Sequence, residues 1–132
     1  MLAVIIFVDQ LNGYACGNNG LILKTIDAGE TWASQTLTSD TTFFHEIYFV
    51  NTNQGYVLGM FAFGGNTLTT WVTTNGGQSW SQSNYAFNSV SFANDSVGYA
   101  VQNGVLFKTT NSGSISISEN ELAPLKLFPN PI

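Results

Sequence analysis

The sequence predicts an all-β chain: three antiparallel four-stranded units forming an incomplete β-propeller, with the third unit degenerate. Three observations carry this. First, the stretch Thr25-Ile26-Asp27-Ala28-Gly29-Glu30-Thr31-Trp32 returns as Thr73-Thr74-Asn75-Gly76-Gly77-Gln78-Ser79-Trp80, and its first half returns as Thr109-Thr110-Asn111-Ser112-Gly113. Second, a Gly-Tyr pair recurs at Gly13-Tyr14, Gly55-Tyr56 and Gly98-Tyr99, at intervals of 42 and 43 residues. Third, 18 aromatics, 13 Gly, 14 Asn and 14 Thr suit short strands and tight turns, and runs of strong helix formers are absent.

The repeated stretch is a turn with a mechanism. A hydroxyl residue, then Asp or Asn, then Gly fall at alternate positions between two strand-like runs. Asp or Asn can accept backbone N–H groups two residues on, and Gly supplies the positive φ that closes the turn. The Trp after it opens the next strand with a large apolar surface to bury.

Each Gly-Tyr pair follows an apolar run ending in Phe and a polar turn: Ile5–Phe7 then Asp9 to Asn12, Ile47–Phe49 then Asn51 to Gln54, Val90–Phe92 then Asn94 to Ser96. Each also precedes a second hairpin and a third strand, over 21–25, 67–73 and 105–109. Four short strands in about 40–45 residues is the period of a propeller blade. The units span about 1–38, 39–85 and 86–118. The first strand of each is apolar nearly throughout, as expected where both faces are covered. The second unit has six more residues than the first between Gly-Tyr and its turn. With Met60, Phe61, Phe63 and the turn Gly64-Gly65-Asn66, that length reads as a longer hairpin. The third unit breaks off after Gly113, and Ser114 to Ser118 offers at most a thin fourth strand.

Taken together, Ile-x-Phe, a polar turn, Gly-Tyr and Lys-Thr-x-Asp-x-Gly-x-Thr-Trp resemble the Asp-box repeat of bacterial neuraminidases. More narrowly they are similar to the photosystem II stability and assembly factor family. The resemblance covers Ile5 to Gly113, and it implies that the box joins the third and fourth strands of a blade. Thr25, Asp27, Gly29, Thr31 and Trp32 take that role by position, as do Thr73, Asn75, Gly77, Ser79 and Trp80, with Asn111 and Gly113 in the third unit. The second and third boxes carry Asn for Asp, which builds the turn without a charge.

Beyond the repeat, residues 119–124 are polar, end in proline and read as a linker. Leu125-Lys126-Leu127-Phe128-Pro129-Asn130-Pro131 resembles the opening of the C-terminal sorting domain of type IX secretion cargo in the Bacteroidetes. Here 125–132 is a truncated start of such a domain, which implies an extracellular or cell-surface protein. Three units cannot close a propeller of four to eight blades. The expected explanation is a piece of a longer chain; the alternative is association of copies, two chains giving six blades.

Charge excludes several function classes. Three Lys, no Arg and eight Asp or Glu give a net charge of −5. Nucleic acid and anionic lipid both require clustered Lys or Arg, so neither is an expected partner. Without Arg the usual bidentate clamp for carboxylates and phosphates is missing. Cys16 is the single cysteine, which rules out an intrachain disulfide and suits a small buried residue. Met1 to Val8 is apolar but too short to span a bilayer and lacks a basic n-region, so no membrane insertion is expected.

No catalytic constellation emerges. Sialidases, which the box resemblance brings to mind, hold their substrate carboxylate with three arginines, and this chain has none. Glycoside hydrolysis needs two carboxyls facing one bond. Asp9, Asp27, Glu30, Asp40, Glu46 and Asp95 fall mostly in turns that a radial fold holds apart. His45 is the single histidine and lacks companions at metal-ligand spacing, so no metal and no cofactor are expected. Gly-rich 64–66 and 76–77 lack the Lys and the following helix of a phosphate loop.

Trp32, Trp80, Tyr14, Tyr56 and Tyr99 repeat with the units, which marks them as packing between blades. Trp71, Phe61 and Phe63 belong to the unit that departs from the repeat, and they are the candidate contacts for a protein or glycan ligand. The reading is a non-catalytic binding or scaffold module outside the cell. Two alternatives remain open: a non-catalytic propeller part of a larger secreted hydrolase, and a structural subunit that self-associates through unclosed blade edges.

Overall fold

Residues 2–38, 41–61, 67–83, 86–94, 96–109 and 122–124 are described in a computed structural model of the chain. They form twelve strands in three antiparallel sheets. The first sheet holds β1 (Leu2–Phe7), β2 (Gly13–Gly17), β3 (Leu21–Thr25) and β4 (Ala33–Thr36), side by side in chain order. The second holds β5 (Thr42–Phe49), β6 (Gly55–Phe61), β7 (Thr67–Thr73) and β8 (Ser81–Gln82), and the third β9 (Ser89–Phe92), β10 (Gly98–Gln102), β11 (Val105–Thr109) and β12 (Leu122–Pro124), in the same order. The third strands coincide with the sequence expectation. The last strand does not: Leu122–Pro124 pairs with β11, although 119–124 reads as a linker. Ser114 to Ser118 and the tail 125–132 lie outside the described residues.

One register repeats in all three sheets. The Phe that ends the first strand sits opposite the Gly that opens the second: Phe7 with Gly13, Phe49 with Gly55, Phe92 with Gly98. Each ring fills the space a side chain on that glycine would need. A Cβ on Gly13 would fall 2.8 Å from the Phe7 ring, and one on Gly55 2.5 Å from the Phe49 ring. The turn between these two residues is also repeated. Asp9, Asn51 and Asn94 each accept two backbone N–H groups, from Leu11 and Asn12, Asn53 and Gln54, and Ser96 and Val97, at 2.7–2.9 Å. Short polar side chains that mimic a backbone turn are why Asp and Asn occupy this place. Between β2 and β3, Asn19 and Gly20 have φ of 60° and 68°; between β10 and β11, Asn103 and Gly104 have 50° and 82°. These are Asn-Gly hairpin corners, whose left-handed backbone matches the strand twist.

The sheets pack face to face through aromatic rings. Tyr14 of β2 stacks on Phe49 of β5 with centroids 4.2 Å apart, and Tyr56 of β6 stacks on Phe92 of β9 at 5.8 Å. Around the first pair, Cys16, Ile22, Phe44, Ile47 and Val57 form the core between sheets one and two; Leu58, Val72, Phe87, Val90 and Ala100 do the same between two and three. Both faces of β5 are covered, as its apolar run requires. On β1 that expectation fails: Ile5 is 59% exposed and Phe7 47%, where the equivalent Ile47 is 4% exposed. Among the described residues no sheet covers the outer face of β1.

The repeated turns at 25–32 and 73–80 are held by side-chain hydrogen bonds. Thr25 Oγ1 accepts the N–H of Asp27 (3.3 Å) and of Gly29 (2.8 Å), so the hydroxyl and not the carboxylate takes the donor two residues on. Asp27 instead reaches four residues ahead, where Oδ1 accepts the Thr31 N–H at 2.8 Å and Oδ2 the Thr31 hydroxyl at 2.5 Å. Thr73, Asn75, Gly77 and Ser79 repeat the pattern, with Asn75 Nδ2 donating to Ser79 Oγ at 2.9 Å in place of the charged bond. Trp32 and Trp80 occupy equivalent places, edge-on to Phe7 at 6.3 Å and to Phe49 at 6.0 Å. They differ in one bond: Trp32 Nε1 donates to the Gly29 carbonyl, while Trp80 Nε1 is buried without an acceptor among the described residues. Asn111 and Gly113 lie outside the described residues.

Two predictions follow from this packing. Phe49 is held by Tyr14 and Trp80 and cannot swing aside, whereas Phe7 is half-exposed; Gly55→Ala should therefore cost about 1–3 kcal/mol as an overpacking change, and Gly13→Ala clearly less. Urea unfolding of both variants checks this, and equal losses would contradict it. The second prediction concerns acid. The Thr31 hydroxyl and N–H and the Thr25 hydroxyl bond the Asp27 carboxylate and hold its pKa at about 2, against an ordinary 3.8. A depressed carboxyl contributes stability that is full above its unfolded pKa and lost as pH falls through the folded value. Between about pH 4 and 2, Asp27→Asn should lose less of its stability than the unmodified chain does. Thermal melts across that window measure it, and superimposable pH profiles would count against the role given to Asp27.

Candidate functional site

Candidate residues from the second unit come together at one cleft. β6 and β7 each run to seven residues, against five for β2 and β3, which accounts for the longer hairpin. The extension pairs Phe61 with Thr67 at its far end. Phe61 is half-buried within the sheet and does not stand out as an exposed tip; Phe63 lies outside the described residues. Phe61 and Trp71 line a cleft of about 290 Å³ with Leu37, Leu68 and the polar side chains of Thr38, Thr42, Thr67, Thr69 and Gln82. Leu37 and Thr38 follow β4, so the cleft lies between the first and second sheets.

Trp71 has two roles there. It packs against the core of Tyr14, Cys16, Phe44 and Val57, and it also forms a wall of the cleft. Its Nε1–H is buried without an acceptor among the described residues, an orphan donor of a kind that costs roughly 1–3 kcal/mol. On the rim, Gln82 Nε2 donates to Thr69 Oγ1 at 3.0 Å, which fixes the amide against β7. Among the described residues no charged side chain lines the cleft. Chemically it offers aromatic surface, hydroxyls and one amide. Those groups can hold an uncharged ligand group.

A larger hollow of about 530 Å³ opens between the ends of β1 and β5, lined by Ile6, Phe7, Tyr48, Phe49 and the turn at Asn51 and Thr52. Two of its rings, Tyr48 and Phe49, already stack between sheets, and Phe7 lies edge-on to Trp32. The titratable groups are similarly occupied with structure. Asp9 accepts from Asn12 and Leu11, which lowers its pKa, and both it and Asp27 stay ionised at neutral pH. A carboxyl so acidic is a poor proton donor. Burial, followed by the charge of Asp9, pushes Tyr14 up to about 12, and burial alone pushes the Cys16 thiol up to about 12. Such a thiol is inert. Asp40 and Asp95 lie outside the described residues. Among the described residues no three His, Cys, Asp or Glu side chains gather as a metal site would require.

One functional side chain was not read from the sequence. Lys24 Nζ donates to the Gly76 carbonyl at 2.7 Å and sits 5.6 Å from the Tyr14 ring centroid. Tyr14 donates its hydroxyl to that same carbonyl, also at 2.7 Å. The pair ties the first sheet to the box turn of the second. Lys24 stands opposite Tyr14 on β3, as Lys108 stands opposite Tyr99 on β11, and that repeat was the available signal.

Neither protein-family models nor curated protein sequences show a match to the chain. Solved structures do. The chain is similar to a structure described as YCF48 bound to D1 peptide, with a TM-score of 0.68 and 25% identity over 94% of this chain. It is similar to YCF48 from Cyanidioschyzon merolae with a TM-score of 0.68 and 22% identity, again over 94%. The chain spans 39% of the length of each. YCF48 is a photosystem II assembly factor with a β-propeller fold, and three antiparallel sheets over that share of its length are part of a β-propeller.

Proposed function

We propose that this chain is a non-catalytic β-propeller module that binds a protein partner by taking a short uncharged peptide segment into the cleft of Phe61 and Trp71. The carrying observation is the cleft itself: two aromatic residues, a hydroxyl and amide rim, and no charged side chain among the described residues. Its volume of about 290 Å³ is at the bottom of the ~300–1,000 Å³ range of small-molecule sites, which favours one or two side chains of a partner over a whole cofactor. The solved YCF48 structure with a D1 peptide supports peptide binding as a use of this fold. An extracellular or cell-surface setting belongs to the same reading, and its support is the sorting-domain resemblance of Leu125 to Pro131.

A display library of uncharged peptides panned against the chain should return binders. Phe61→Ala should weaken them at least about tenfold, the effect of removing a buried aromatic anchor, while near-ultraviolet circular dichroism stays native. Binding only to a glycan array, or peptide affinity unchanged in Phe61→Ala, would overturn the reading.

A further inference from the structure

The crevice between the outer strands of the first two sheets holds a second cleft, of about 230 Å³, beside the one that Phe61 and Trp71 line. β3 and β7 each run toward a box turn, and β4 runs back from the first of these. Gly77 of the second box turn lines the smaller cleft, whereas Thr67 and Leu68 at the start of β7 line the other. The two clefts therefore sit at opposite ends of one crevice. β4 connects them, with Ala33 and Gln35 at one and Leu37, just past the strand, at the other.

Their chemistry differs. Register places Tyr14, Lys24 and Ala33 in one row across the first sheet, and Ile22 with Gln35 two residues along on the same face. Lys24 is half-buried and brings a charge into the smaller cleft. Its Nζ gives one of three N–H groups to the Gly76 carbonyl and lies over the Tyr14 ring. Among the described residues it forms no ion pair, although the chain carries eight Asp or Glu against three Lys. The half-buried Gln35 amide makes no side-chain hydrogen bond either. An ammonium without a counter-ion, an amide beside it and the apolar walls of Ile22 and Tyr14 match a carboxylate on a short hydrocarbon stem. A glutamate side chain has both parts, and the volume suits one side chain.

We propose that the peptide segment held between these sheets carries a glutamate for the smaller cleft, with its carboxylate on Lys24 Nζ and Gln35 Nε2. The inference rests on the peptide-binding reading, in which an uncharged group of the same segment enters the cleft of Phe61 and Trp71. Gln35 and Leu37 stand two residues apart, about 7 Å along extended chain. A partner laid along β4 bears its two groups two or four residues apart, the spacings at which strand side chains share a face.

Synthetic peptides test this, capped at both ends, with an uncharged aromatic or aliphatic anchor and a glutamate two or four residues away. They should bind at least about fivefold tighter than the same peptides carrying glutamine, and the preference should shrink as salt is raised. Lys24→Met keeps the stem over Tyr14 and removes the charge, so it should erase the preference and leave affinity for the glutamine peptides unchanged. If Lys24→Met loses its native near-ultraviolet circular dichroism, Gln35→Glu takes its place: it sets a carboxylate of the chain's own beside Lys24 and should erase the preference in the same way. Equal affinity for glutamate and glutamine peptides would overturn this inference alone. A preference that survives in the folded variant would also overturn it, because the carboxylate then binds elsewhere. If no peptide of either kind binds, the peptide-binding reading falls and this inference falls with it.

Discussion

Phe49 is surrounded on three sides, and each contact is fixed by a different part of the chain. Beneath it lies Gly55, its own cross-strand neighbour; above it lies Tyr14 from the preceding sheet; at its edge stands Trp80, placed by the box turn. Removing any one would loosen the other two. The glycine must lack a side chain because the ring lies on its backbone, and the tyrosine ring is buried because the phenylalanine is its floor. Burial of a ring contributes roughly 1.5–3 kcal/mol and stacking a further ~0.5–1.5. The hydrogen bond from the Tyr14 hydroxyl adds only about 0.5–1.5 kcal/mol, and Lys24 would still satisfy the same carbonyl without it. Burial and stacking of the ring together outweigh the bond.

The same reasoning explains how the third sheet departs from the pattern. Phe92 keeps its glycine and its tyrosine, but no Trp follows in its unit. Tyr48 of β5 takes up the slack: it stacks on Phe92 at 5.9 Å and bonds both the N–H and the carbonyl of that residue. Thr70, fully buried, accepts the Phe87 N–H and so anchors the crossing into β9. Both sheet contacts use a Tyr ring stacked on a Phe ring, and different neighbours complete them.

Much of this was legible because the repeat shows three times over. The strand limits at 21–25, 67–73 and 105–109, the inter-sheet role of Tyr14 and Tyr56, and the equivalence of Trp32 and Trp80 all follow from spacing alone. The Phe-over-Gly contact was present as a constant separation of six residues, Phe7 to Gly13, Phe49 to Gly55 and Phe92 to Gly98, but spacing does not say that a ring lies on a backbone. The turn chemistry was misread for a local reason: Thr and Asp are both acceptors, and sequence does not rank which takes the nearer N–H. Phe61 and Trp71 stand out in the sequence because the second unit departs from the repeat, while Leu37 of the first unit, which lines the same cleft, carries no such signal. β12 was hidden by Pro124, which a strand admits at a sheet edge.

The stack of Tyr14 on Phe49 is the central claim, and a double-mutant cycle tests it most directly. Tyr14→Leu, Phe49→Leu and the double variant, unfolded in urea, should give a coupling of about 0.5–1.5 kcal/mol between the two rings. Strictly additive losses would show that the rings do not act on each other, and the account of how these sheets are held together would be wrong.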